Sequence, residues 1–336
     1  MQSLSKAEKS YIQVGLLSSP PSRSDGRSLL DYRSVALETG VAPLANGSAR
    51  VNIGRNANQA GGGTEVVAAS KLEVESIDDD GGVEGGRIVC TVSCSPSAYP
   101  HLSSGALDDI QQDMTTILHQ TLAHPSLHPN NLSILPRKKS WLLNLDVLVL
   151  ADAGNVYDAL FIAARAALWD TKVPRTRSVE YKARKTTGTK PGGTGDMDVD
   201  EETPSGFDTR QIQNATDFEL PDYWDEGEVL DGREKWPVCV TLNLVPPVHY
   251  LDATGQEEAA TPLRLLLMFT FPPNGPADVQ AMRMLGPGEL KITQLKDLIV
   301  TGEKYAHDLY HSLNVKLKEE DVRRNQKARD RFEQHR

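Results

Sequence analysis

Three carboxylates, Asp252, Glu257 and Glu258, fall within one short stretch. Convergent carboxylates hold a divalent ion or pass a proton. Acidic residues at a strand-end turn more often form a solvated cap, and these are read that way, with no metal assigned. His119, His124 and His128 have near-metal spacing, but Pro125 and Pro129 interrupt them and no nearby cysteine completes a set. They read as solvated or capping imidazoles. Gly61, Gly62 and Gly63 resemble an anion nest, yet the Lys-Ser/Thr of a nucleotide loop is missing and no helix is evident after them. A linker fits better. The three cysteines, Cys90, Cys94 and Cys239, form no C-x-x-C pair. Neither a zinc half-site nor a disulfide framework is expected, and a reducing compartment follows.

The 336 residues carry a formal net charge of −10. That acidity is local. Residues 196–234 contain 14 acidic and two basic side chains, so the rest of the chain sums to +2. A general nucleic-acid sponge is excluded, while a local basic surface is not. The polar, charged beginning of the chain is not the basic-then-apolar pattern of a leader, and no apolar run reaches membrane-spanning length. Neither secretion nor membrane insertion is expected.

Any site here must be positioned by strands and a few long helices. Residues 6–15 predict a short helix, followed by a Ser/Pro/Gly-rich arm that lies across the domain. Residues 34–37, 49–53, 66–74 and 87–93 carry short apolar or alternating patterns and predict an antiparallel meander, with exposed joints at 61–63 and 78–86. Leu107, Ile110, Met114, Ile117, Leu118 and Leu122 repeat every three or four residues, as one buried stripe of a helix requires. Residues 132–135 and 141–151 read as strands, the second so apolar that it belongs at the centre of a sheet. A helix over 156–169 follows, its alanines at 163, 164, 166 and 167 allowing close approach to the sheet. Residues 176–236 then change character: a basic start, a Pro-Gly-Gly break and the acidic run. They read as a flexible insertion, in which Phe218, Leu220, Tyr223 and Trp224 could dock locally. Strands return at 238–245, 248–252, 263–271 and 280–284. Leu295, Ile299, Ala306, Leu309 and Leu313 mark a last helix, locally weakened by Gly302. Residues 316–336, with eight basic and five acidic side chains, extend that helix into solvent or fray. This order is α+β, with helices against sheets.

Four blocks carry a resemblance. Arg23-Ser24-Asp25-Gly26-Arg27 with Asp31-Tyr32-Arg33 is similar to the start of the ribonuclease PH family. Gly47-Ser48-Ala49-Arg50-Val51 is similar to a strand of the ribosomal-RNA-processing protein 42 type of subunit in the RNA exosome core. Ala153-Gly154-Asn155-Val156-Tyr157-Asp158, after Pro136-Arg137 and the 141–150 strand, and then Leu251-Asp252-Ala253-Thr254-Gly255-Gln256-Glu257-Glu258, agree in order. The resemblance covers about residues 5–315. It implies a ribosomal protein S5 domain 2-like fold with antiparallel and mixed sheets. The organisation it suggests is an arm at 1–33, a ribonuclease PH-like domain at 34–315 interrupted by 176–236, and a charged extension at 316–336.

Active members of that family cleave RNA from its 3′ end with phosphate, which requires cationic phosphate seats and a carboxylate pair. Carried over residue by residue, the resemblance puts Val156 where an arginine seats phosphate. The preceding helix, source of a second arginine, has Asp108, Asp109 and Asp113 and no Lys or Arg from 102 to 123. The two aspartates of active members correspond to Glu258 and Arg264. Three losses of charge stabilisation imply a chain without catalytic residues or cofactor. The resemblance therefore implies a structural subunit in a six-membered ring of ribonuclease PH-like subunits, pairing with the messenger-RNA-transport 3 type. S1/KH cap proteins, a catalytic exosome nuclease and single-stranded RNA in the channel would complete the assembly. The expected locations are nucleus, including nucleolus, and cytoplasm. Arg50, Arg55, Arg137, Lys138 and Lys139 are the candidates for RNA phosphate contact, against solvation or subunit salt bridges. A surviving phosphorolytic exoribonuclease and an adaptor that uses its acidic insertion are the competing readings.

Overall fold

The computed structural model describes residues 4–54, 63–77, 82–179, 217–221, 227–272 and 275–334, with side chains of the last helix described as far as residue 326. The first half contains α1 (Lys6–Leu17), β1 (Val35–Thr39), β2 (Gly47–Ile53), β3 (Thr64–Ser76), β4 (Arg87–Cys94), α2 (Ser104–Leu122), β5 (Ser133–Leu135), β6 (Lys139–Ala151) and α3 (Val156–Asp170). The short β7 (Lys172–Val173), β8 (Arg177–Val179), β9 (Asp217–Glu219) and β10 (Glu228–Val229) lead to β11 (Val238–Val245) and β12 (Val248–Tyr250). Then come α4 (Gly255–Ala260), β13 (Leu263–Thr270), β14 (Asp278–Leu285) and α5 (Ile292–Gln334). No described helix is long and apolar enough to cross a membrane.

Two sheets enclose α3. The first runs β1-β2-β3-β6-β4, with β5 also on β6, and the second runs β12-β11-β13-β14. The alternation in β6 explains its central place: Trp141, Leu143, Leu145, Val147 and Val149 are buried, whereas Asp146 and Leu148 face out. The meander expectation holds for β1, β2 and β3, which pair antiparallel. It fails for the fourth strand. β4 crosses to the far side of β6 and pairs with it in parallel. β4 is a short alternating run, and nothing in such a pattern fixes pairing direction.

Every residue of α3 is buried, as expected of a helix covered on opposite faces. Its alanines serve the close approach: a Cβ on Gly47 of β2 would stand 2.5 Å from the Ala167 carbonyl oxygen. Three charged side chains are buried in this helix. Arg165 donates to the Glu234 carbonyl at 3.2 Å, to Asn314 Oδ1 at 2.7 Å and to the Trp236 carbonyl, and lies over the Tyr310 ring. Burial pulls it down to about 10, although Tyr310 and Glu234 act in the other direction. Asp158 accepts from Thr241 Oγ1 at 2.7 Å and Tyr32 Oη at 3.3 Å, and burial raises it to about 7. Asp170 accepts from the Ser48 amide at 3.0 Å and from Arg324.

Gly302, expected to weaken α5 locally, has a packing use: its missing Cβ makes room for Leu267, whose Cδ1 would lie 2.4 Å from such an atom. Three details depart from the sequence reading. The last helix, α5, stays on the domain well beyond residue 316. Leu317 is buried, Asp321 accepts from Trp169 Nε1 at 3.0 Å, and Arg324 reaches Asp170. Within 176–236, β10 pairs with β7, and Leu230 and Trp236 enter the main core. Phe218 docks edge-on against Trp141, at 6.2 Å between ring centroids. Tyr223 and Trp224 lie outside the described residues, as do residues 55–62 and 78–81. Gly86, at the end of the joint expected to be exposed, is buried against the Trp141 carbonyl and Leu132.

Candidate functional site

Two tight turns meet where β6 passes into α3 and β12 passes into α4. Gly154 has φ +95°, and a Cβ there would stand 2.4 Å from the Ala253 carbonyl oxygen, so only glycine permits the approach. The Gly255 amide donates to the Ala153 carbonyl at 2.8 Å, joining the turns directly. Asn155 at φ 60° and Asp252 at φ 45° are also left-handed, a conformation that short polar side chains tolerate.

Asp252 lies at the centre and is completely buried. Its carboxylate accepts from the Arg33 amide at 2.7 Å, Arg33 Nε at 2.9 Å and Nη2 at 2.8 Å, Arg27 Nη1 at 2.8 Å and Asn155 Nδ2 at 3.0 Å. Burial alone would raise this carboxyl, but the bonds and charges of Arg33 and Arg27 outweigh it and hold it below the ordinary value. Arg33 also donates to the carbonyls of Ala153 at 3.1 Å and Gly154 at 2.9 Å. Beside it, Arg23 clamps Glu257 through Nε at 2.9 Å and Nη2 at 2.6 Å and reaches the carbonyls of Leu251 and Asp252. Glu257 closes a capping box with Thr254 at the start of α4.

The solvated-cap reading of Asp252 and Glu257 is therefore corrected. Both carboxylates are internal because the arm supplies three arginines to neutralise them. Sequence reasoning quoted Arg23, Arg27 and Arg33 without giving them a role. The available signal was three cations on an arm and three carboxylates in one turn, but their meeting spans about 220 residues and has no local periodicity.

Glu258 occupies the position of most chemical interest. Its Oε1 accepts the Asn155 amide at 2.8 Å, just ahead of α3, while Oε2 stands 3.0 Å from Arg264 Nη1. A helix start attracts anions through its free amides and dipole. Here that preference is met by a carboxylate from the same chain. Burial raises the Glu258 carboxyl despite the opposing Arg264. Val156, next in line, is buried and apolar. Asp113 of α2, expected to repel phosphate, is neutralised by Arg283 and accepts Tyr157 Oη at 3.2 Å. Asp152 accepts the Gly154 amide at 2.8 Å. Among the described residues, no group of three or more His, Cys, Asp or Glu is placed to hold a metal ion.

The basic candidates do not converge with this junction. Arg50 lies on β2 and pairs with Glu65 of β3. Arg137 is exposed in a left-handed turn, φ 59°, 3.9 Å from Glu84. Lys138 follows it, and Lys139 starts β6, 2.9 Å from Asp217. Arg55 lies outside the described residues. The histidines do cap: His119 Nδ1 accepts the Cys90 amide at 3.3 Å, His124 Nδ1 accepts the Ser126 amide at 3.3 Å, and His128 Nε2 contacts the Gly86 carbonyl at 2.9 Å.

Two curled sheets around a buried helix, with three of the four sequence blocks gathered at the two turns and the fourth on β2, make a ribonuclease PH-like α/β fold, and residues 31–174 match the model of the 3′ exoribonuclease family, domain 1 (RNase_PH). The relatives that the chain resembles include Rrp42-type exosome proteins. A Dictyostelium discoideum protein named as an exosome complex exonuclease, RRP42, is 26% identical across 95% of this chain and 99% of its own length. The exosome complex component Rrp42 of Saccharolobus solfataricus is 36% identical over 152 residues, which span 45% of this chain and about half, 52%, of that relative. Among solved structures, an Archaeoglobus fulgidus exosome with RNA bound to the active site superposes with TM-score 0.62 at 21% identity, over 91% of this chain and 97% of the other. An archaeal exosome core gives 0.59 at 20% identity, over 92% and 96%. These likenesses establish the fold.

Proposed function

We propose that the chain is a non-catalytic structural subunit of an exosome-type ring, shaping the assembly and its RNA channel for 3′-to-5′ processing and degradation. The observation that carries the reading is Glu258 on the Asn155 amide with Arg264 beside it. The helix start that would attract an incoming phosphate is occupied from within. One remaining carboxylate is paired with a cation, and the nearby Asp252 is saturated by arginines. Its likeness to exosome proteins of other organisms supports the ring. Its neighbours would be other ribonuclease PH-like subunits, including one of the messenger-RNA-transport 3 type, with S1/KH caps and a separate nuclease completing the complex in nucleus, nucleolus and cytoplasm.

Within that reading, Arg137 is the best exposed candidate for RNA phosphate, whereas Arg50 is engaged within its own sheet. Phosphate-dependent release of nucleoside diphosphates from RNA tests the non-catalytic assignment. The purified chain, alone and mixed with its ring neighbours, should add no release beyond theirs; release abolished by a substitution in this chain would overturn it.

A further inference from the structure

β4 is the last strand of the first sheet, so one of its edges has no strand beside it. Its odd-numbered residues pair toward β6, a direction continued by the Ser95 amide, which donates to the Val149 carbonyl at 2.8 Å. The even-numbered amides point the other way, and α2 covers them one at a time. Cys94 donates to Gln111 Oε1 at 2.8 Å, Val92 to Thr115 Oγ1 at 3.0 Å and Cys90 to His119 Nδ1 at 3.3 Å. Those three caps stand four residues apart, on one stripe of the helix. The next place in the series is Ala123, which has no acceptor side chain, and α2 ends there. At the start of the strand, the Gly86 amide donates to the Val83 carbonyl at 2.9 Å and its carbonyl is held by His128.

Between these covered positions lies Ile88. Among the described residues neither its amide nor its carbonyl has a capping side chain, although every even-numbered neighbour on this edge has one. A groove of about 610 Å³ opens at this gap, lined by Ile88, Leu122, Pro125 and the imidazoles of His119, His124 and His128. His119 and His124 each use Nδ1 as an acceptor, which leaves a proton on Nε2 and gives the groove two N–H donors. Of its charged neighbours, Arg87 is paired with Glu75, and Glu84 stands 3.9 Å from the exposed Arg137. The two imidazole N–H groups suit acceptors, carboxylates among them.

We propose that this gap docks an acidic, extended peptide segment of a partner protein, which exchanges both backbone hydrogen bonds with Ile88 and sets a carboxylate against His119 and His124. An antiparallel residue pair makes this two-bond exchange. A peptide unit offers the donor and the acceptor that Ile88 lacks, whereas an RNA phosphate offers no donor.

The test is fluorescence anisotropy of a labelled acetyl-Val-Asp-Val-Asp-Val-amide probe with the full chain. Saturable binding is expected with Kd on the order of 100 µM, typical of one short added strand. Ile88→Pro, which removes the edge-facing amide at a place where sheets accept proline, together with a side chain buried in the core, should weaken it at least tenfold. N-methylation of the central valine of the probe should do the same to the unaltered chain, and this arm does not depend on how the variant folds. No binding at millimolar chain, equal binding of the methylated probe, or displacement of the probe by oligouridylate would overturn the proposal.

Discussion

Replacing Asp252 by alanine should destabilise the chain by about 3–5 kcal/mol, the range seen when one partner of a buried ion pair is removed. The magnitude follows from what remains. Arg27 and Arg33 keep their places because they also hold the carbonyls of Asp252, Ala153 and Gly154, so two largely buried guanidiniums lose their counter-charge together. Asp252→Asn should destabilise less, since an amide keeps one acceptor. The measurement is the urea midpoint of each variant, with the slope confirming that the same unfolding is compared.

The sign of the pH dependence follows from the same contacts. The Asp252 carboxyl is lower in the folded chain than in the unfolded one, so its contribution is present above about pH 4 and is lost as pH falls through the folded value. Asp158 acts oppositely. Raised to about 7, it stabilises most below its unfolded value and loses that contribution as pH climbs from about 4 toward 7. Wild-type stability should therefore fall on both sides of an acidic optimum, and Asp252→Ala should flatten chiefly the acid limb, with a smaller effect on the other because the Asp252 charge helps to raise Asp158.

Arg165→Met is expected to produce the second large effect, about 3 kcal/mol. Methionine fills comparable volume but donates nothing, which strands the Trp236 carbonyl and the Asn314 amide oxygen and leaves the exposed Glu234 carbonyl to Tyr310 Oη at 3.3 Å. A buried acceptor left unsatisfied costs about 1–3 kcal/mol. Two such losses exceed the relief from no longer burying a cation, whose depressed pKa records that penalty. The three acceptors sit on the segment entering β11 and on α5, so the damage should be directional. Hydrogen exchange should rise first at residues 234–236 and around 314 while β2, β3 and β6 stay protected.

Much of the fold was legible because apolar periodicity is local. The stripe of α2, the alanine face of α3 and the alternation of β6 each announce their element from within it. The parallel placement of β4 was not legible, since direction is chosen by the α2 connection and by side-chain caps such as Thr115 and Gln111. Gly302 was legible only in part: a glycine's local effect on a helix is readable, but the Leu267 side chain that needs its empty space is not. At the site, Val156, Glu258 and Arg264 were each singled out, yet their consequence emerges only in space. The count of charges showed one carboxylate facing a cation. The structure adds that this carboxylate sits on the amide at the head of α3, and that Asp252, its apparent companion, belongs to the arginines of the arm.

The central claim is that the anion seat is filled from within, and titration of inorganic phosphate followed by ³¹P line broadening tests it most directly. Wild-type chain should leave the phosphate line unchanged at millimolar ligand, whereas Glu258→Ala, with the Asn155 amide and Arg264 uncovered, should broaden it saturably. Saturable phosphate binding by the wild-type chain, undiminished by Val156 and by an intact Glu258, would contradict the account.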